Sequence, residues 1–236
     1  MFQKRFYGDG IPGVKPSTLR GLLVVIEGSD GSGRSTQITA IRDWLEHRGH
    51  SVIDVGLNRS VLVSPELSQA KSSNVLSPRT LSLFYATDFA DQLENKIIPS
   101  LQAGSIVLAD RYIYTPMARD IVRGAEREWV EAVYSIALVP DAVFYLSVSP
   151  RNLAERSFTK YQFLDYWEAG MDMHLSLDWY TCFIKYQRLL QQEFRRMSAR
   201  YGFKILDGNR SAKAVTRELR RELEILIETF QTSSKE

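Results

Sequence analysis

The chain has 236 residues, 44% of them hydrophobic, which suits one α/β domain with a sizeable core. Its 30 Lys and Arg against 28 Asp and Glu leave a formal charge of +2, which excludes a global attraction to nucleic acid or to an acidic membrane, so any anion binding is local. A single Cys182 excludes a disulfide framework, His47, His50 and His174 have no zinc-ligand spacing, and no run approaches the roughly 18 to 20 apolar residues that span a bilayer, so a cytoplasmic protein is expected.

Met1 to Arg20 carry Gly8, Gly10, Pro12, Gly13 and Pro16 and no signal-peptide core, a composition that predicts an extended arm (1–20) ahead of a single domain (21–236). Gly21 to Glu27 is a short apolar run of the kind found in a buried parallel strand. Gly28-Ser29-Asp30-Gly31-Ser32-Gly33-Arg34-Ser35 follows, the pattern of a phosphate-cradling loop with Arg34 where the pattern calls for lysine. Its glycines let successive backbone N–H groups turn inward, and the helix that opens behind it, with Ile38, Ile41 and Leu45 on one face, favours an anion at its N-terminus.

Ser51 to Val55 predicts a second strand and Pro65 to Lys71 a short helix. Leu81, Phe84, Tyr85, Phe89, Leu93, Ile97 and Leu101 give a sustained helical stripe, which predicts one continuous helix over Ser77 to Ala103. Strands follow at Ser105 to Ala109, leading into Asp110-Arg111-Tyr112, and at Ala142 to Val148. A long helix over Ser176 to Arg200, a strand over Phe203 to Leu206 and a helix over Val215 to Phe230 complete the chain. This alternation predicts an α/β fold with a parallel sheet of about five strands and helices on both faces. Ligands bind outside the carboxyl ends of such strands, the edge that collects Asp30, Asp110, Arg111 and Ser149.

Val25 to Gln37, including the loop, closely resembles the corresponding segment of thymidylate kinases, where an acidic residue also sits inside the loop. Ile97 to Tyr112, Pro140 to Val148 and Leu153-Ala154-Glu155-Arg156 resemble the later elements of that family in the same order. The resemblance implies a P-loop NTPase fold with a small lid (about 151–175), assembled as a homodimer. It also implies transfer of phosphate from ATP to a nucleoside monophosphate, dTMP to dTDP in the first instance, as a step of nucleotide biosynthesis. Gly28, Ser29, Asp30, Gly31, Ser32, Gly33, Arg34, Ser35 and Thr36 would bind ATP, and Ser35 and Asp110 would serve Mg²⁺. Arg34, Asp110 and Arg111 would carry the catalytic roles. Asp30, Arg59, Arg111, Tyr112, Thr115, Arg119 and Asp120 would face the acceptor, and Arg156 and Lys160 are lid candidates.

Three acceptor elements depart from the family pattern. Arg59 follows Gly56-Leu57-Asn58 where the family has Arg-Glu-Pro; Ala86-Thr87-Asp88 replaces Ala-Asp-Arg, so an arginine that faces thymine is absent; and Arg119 and Asp120 replace an aromatic and an amide. An altered polar complement changes which base is accepted. Two other functions stand beside the first: on these departures, a kinase of this fold with another nucleotide, nucleoside or small phosphate as acceptor, and, on Arg34 in place of lysine, a catalytically weak nucleotide-binding regulator. Arg119 and Asp120 also read as a local ion pair on a solvated helix face, and Phe84, Tyr85 and Phe89 as core.

Overall fold

The computed structural model describes residues 3–72, 76–162 and 166–233. Strand β1 (Leu22–Glu27) is buried along its whole length, and its side chains alternate between two cores. Leu23 and Val25 point into one with Phe89, Leu93, Val107 and Phe194; Leu22, Val24 and Ile26 point into the other with Ile38, Ile41, Leu219 and Leu223. A strand covered on both faces has no polar side to show, which is why it reads as a continuous apolar run.

Among the described residues the sheet has five strands, all parallel, in the order β2-β3-β1-β4-β5. The other four are β2 (Val52–Gly56), β3 (Ile106–Asp110), β4 (Ala142–Ser147) and β5 (Lys204–Asp207). Helices α1 (Arg34–His47) and α9 (Ala212–Ser233) cover one face. The other face is covered by α3 (Pro78–Gln92), α4 (Ile98–Gln102), α5 (Tyr114–Val122), α6 (Arg127–Val133) and α8 (Trp179–Tyr201). The short α2 (Ser64–Ser72) packs on α3, and α7 (Pro150–Tyr161) on α8. Ile26 pairs with Asp110 and Gly56 with Asp110, so the carboxyl ends of β1, β2 and β3 lie side by side. A Cβ at Gly56 would stand 2.5 Å from the Asp110 carbonyl oxygen, so this close approach requires glycine.

The continuous helix expected over Ser77 to Ala103 is interrupted. Between α3 and α4 the chain widens into a π-turn over Leu93–Ile97, where the Ile98 N–H reaches the Leu93 carbonyl. Pro99 sits at the start of α4 and has no N–H to give to the preceding turn, and a widened turn accommodates its ring. The apolar stripe survives because Leu93 and Ile97 remain buried.

Near the amino terminus, Lys4 to Gly8 are held against the chain that leads into β4. Arg5, Tyr7 and Gly8 exchange backbone hydrogen bonds with Val139, Ala137 and Ser135. Lys4 forms an ion pair with Asp141, whose carboxylate also accepts from the Leu23 N–H at 2.7 Å, and the Tyr7 and Tyr114 hydroxyls meet at 2.6 Å. No helix among the described residues is long and apolar enough to cross a membrane.

Candidate active site

The site is built on the loop between β1 and α1. Gly33 stands at the N-cap of α1 with φ of 91° and no side-chain cap, so the first N–H groups of the helix are left for an external acceptor. Gly31, with φ of 79°, lies under α7: a Cβ there would stand 3.2 Å from both the Leu153 carbonyl and the Ser157 hydroxyl. Ser35 and Thr36 are exposed in the first helical turn, and the buried Ser32 hydroxyl has no partner among the described residues. The loop thus presents backbone donors, two hydroxyls and the positive end of a helix dipole to one point.

Arg34 does not extend toward that point. Its Nε donates to Asp110 at 2.8 Å, its Nη1 to the carbonyls of Gly28 and, at 2.7 Å, Ser29, and its Nη2 lies 3.6 Å from Asp30. The second oxygen of Asp110 meets Arg59 at 3.3 Å. Arg59 is placed there by Asp88, a fully buried carboxylate on α3 that accepts from the backbone N–H groups of Asn58, Arg59 and Ser60 at 2.8, 2.9 and 2.7 Å.

Asp30 gathers a second set of charges. Arg111 lies 2.5 Å and Arg119 3.1 Å from the same oxygen. Arg111 itself has φ of 70°, a left-handed conformation that costs a non-glycine residue about 1–2 kcal/mol and turns its side chain back toward the loop. Glu168, in the segment before α8, also hydrogen-bonds Asp30. Burial, then the charge and hydrogen bond of Asp30, push the Glu168 carboxyl up to about 8, against the pull of Arg119 and Arg111. Burial raises Asp30 too, but Arg111, Arg34, Glu168 and Arg119 outweigh it and hold it well below the usual carboxylate range. Near neutral pH one proton therefore resides on Glu168 and is donated to an ionised Asp30.

Behind this layer, Glu27 at the end of β1 is fully buried and accepts from the Tyr112 N–H at 2.9 Å and the Thr115 hydroxyl at 2.5 Å. Tyr112 turns into the core, where its hydroxyl donates to the Leu138 carbonyl at 2.9 Å. Tyr112 and Thr115 thus stand behind the charged layer, bonded to Glu27.

Arg119 and Asp120 do not pair with each other. Neighbouring helical residues point about 100° apart: Arg119 reaches Asp30, whereas Asp120 accepts from the Ser82 hydroxyl at 2.5 Å across the cleft between α3 and α5. Asp120 lines a cavity of about 400 Å³ with Arg79, Ser82, Arg123 and Trp129. Burial pushes its carboxyl up to about 6, with Ser82, Arg123 and Arg119 pulling the other way. Tyr85 and Phe89 are buried on α3, and Phe89 packs edge-on against Tyr112 with ring centroids 5.1 Å apart.

Arg156 on α7 donates to the Gly208 carbonyl at 3.0 Å and reaches the Gly31 carbonyl at 3.4 Å, at the rim of the loop. The Lys160 side chain lies outside the described residues. The sequence reading missed Glu168, the buried Glu27 bracket and the Asp88 anchor. An acidic residue preceding the glycine loop was the one available signal for Glu27; nothing local distinguishes Glu168 from a solvated glutamate.

Around the loop, four guanidiniums (Arg34, Arg59, Arg111 and Arg119) meet Asp30 and Asp110, with Glu27 behind them and Glu168 protonated. Positive charge exceeds negative in a cleft lined by backbone donors, which is the electrostatic complement of phosphate groups.

Comparison with known proteins agrees with this geometry. The thymidylate kinase family model matches residues 26–219. A protein of Saccharolobus solfataricus named probable thymidylate kinase 2 is 37% identical over 204 residues, 86% of this chain and 95% of that relative. A probable thymidylate kinase of Thermococcus kodakarensis is 31% identical over 145 residues, 57% of this chain and 70% of the relative. The thymidylate kinase of Bacillus licheniformis is 26% identical over 222 residues, 90% of this chain and all of the relative.

Proposed function

Because the chain belongs to the thymidylate kinase family, we propose that it transfers the γ-phosphate of ATP to dTMP, giving dTDP and ADP. The observation that carries this reading is the pairing of an uncapped helix N-terminus behind Gly28 to Ser35 with the guanidiniums of Arg111 and Arg119, both gathered on Asp30. The loop N–H groups bind the donor phosphates. Arg111 and Arg119 hold the acceptor phosphate, which takes up the positive charge that Asp30 leaves in excess. Phosphoryl transfer asks little covalent chemistry of a protein; what it asks is two anions held in line with their charge offset.

In this reading the base of the acceptor enters the cleft between α3 and α5, toward the cavity walled by Trp129 and reached by Asp120. Glu27 sets the register of this arrangement by fixing Tyr112 and Thr115. Among the described residues no three His, Cys, Asp or Glu side chains form a metal cage, so a Mg²⁺ ion fits here only as a partner of bound phosphate. Ser35 and, through water, Asp110 are the hard oxygen donors suited to it. When bound, the ion offsets charge on the transferring group. We further propose assembly as a homodimer along the long helices, where Leu83 on α3 is half exposed.

The test is incubation with Mg²⁺ and ATP and a panel of nucleoside monophosphates, with dTDP as the expected product. No diphosphate from any acceptor, with ATP still bound, would overturn the assignment.

A further inference from the structure

We infer that Arg34 is a positioning residue that braces the phosphate loop from within, and that it is not the cation that follows the transferring phosphate; this rests on the kinase reading of the site. All three of its guanidinium nitrogens are spent inward: Nε on Asp110 at 2.8 Å, Nη1 on the carbonyls of Gly28 and Ser29, and Nη2 toward Asp30 at 3.6 Å. The side chain is only 8% exposed. The planar fork is what makes this set possible, because its donors diverge from one rigid plane toward acceptors on both sides of the loop.

A lysine at this position would bring three donors to a single nitrogen and could not span the same acceptors. Its charge would instead be free to travel with a phosphate. In this chain the fork ties two carboxylates together through the loop: Asp110 at the end of β3, and Asp30, which organises Arg111 and Arg119. Arg34 therefore acts through two carboxylates, Asp30 on the acceptor side and Asp110 at the end of β3. The guanidiniums left at the mouth are those of Arg59, 39% exposed, and Arg156, whose bonds to the Gly31 and Gly208 carbonyls reach across the loop.

The distinction is measurable with Arg34→Lys and Arg34→Gln, each checked for folding by thermal melting. ATP and dTMP affinities are determined separately by calorimetry, and turnover is measured in parallel. Bracing predicts that Arg34→Lys fails to rescue: kcat/KM for the acceptor and the affinity for dTMP each fall roughly ten-fold or more, and ATP affinity falls alongside because the loop carbonyls of Gly28 and Ser29 lose their shared donor. Arg34→Gln should lose dTMP affinity to a similar extent, so a folding failure of one variant leaves the other to decide. Retained or raised turnover in Arg34→Lys, or a loss of ATP affinity with dTMP affinity intact in either variant, would make Arg34 a phosphate-binding cation and overturn the inference. Absence of dTDP formation by the wild-type protein would refute the kinase reading, whereas the two binding ratios judge Arg34 independently.

Discussion

Replacing Glu168 by Gln tests the proton held between the segment before α8 and the phosphate loop. Burial, then the charge and hydrogen bond of Asp30, push the Glu168 carboxyl up to about 8, whereas a glutamate in the unfolded chain titrates near about 4.3. Between those values the folded chain keeps a proton that the unfolded chain has lost. The stabilising contribution is therefore complete below about pH 4.3 and is lost as pH rises through the folded value of about 8. The slope is about 1.4 kcal/mol per pH unit, so between about pH 5.5 and 7.5 the wild type gives up roughly 2–3 kcal/mol relative to Glu168→Gln, which has no proton to lose. Glutamine keeps an N–H to donate to Asp30, so the hydrogen bond is preserved in the variant. Asp30, held well below its ordinary range, is ionised in both states over this interval, and Asp120, pushed up to about 6, is common to both proteins and cancels. Denaturant unfolding of the two proteins across this interval reads the effect directly. Stability curves that run parallel would refute the shared proton.

Asp88→Ala leaves the N–H groups of Asn58, Arg59 and Ser60 without their acceptor; a loss of roughly 1.5–3 kcal/mol in unfolding free energy is expected, with turnover reduced further because Arg59 is no longer placed at Asp110. Lys4→Ala strips the buried Asp141 carboxylate of its cation; thermal and chemical unfolding should show a cost of about 3–5 kcal/mol with little change in KM for either nucleotide. Asp120→Asn keeps an oxygen for the Ser82 hydroxyl but removes the charge from the α3–α5 cavity; an acceptor panel should show altered preference among bases with KM for ATP unchanged, and equal losses toward every acceptor and ATP would count against a base-facing role.

The sheet and the loop were legible in the sequence because both depend on contiguous residues. A parallel strand buried on both faces must be an apolar run, as Leu22 to Ile26 are, and a backbone cradle must carry glycine where φ is positive, as at Gly31 and Gly33. What depends on partners distant in the chain was not legible. The composition of the arm says nothing of Ser135 to Asp141, against which it pairs more than a hundred residues later. Arg119 and Asp120 are adjacent in sequence and opposite in charge, yet helical geometry sends one to Asp30 and the other to Ser82. Glu168 acquires its significance only because the segment before α8 returns to the loop, and the π-turn at Leu93–Ile97 preserves the apolar stripe that suggested a regular helix.

The measurement closest to the central claim is direct product analysis: the purified protein with Mg²⁺, ATP and dTMP, assayed for dTDP and ADP. Equimolar dTDP and ADP are predicted, with Arg111→Ala abolishing dTDP formation while ATP binding at the loop persists. ATP binding without dTDP, in a protein whose fold is intact, would contradict the account.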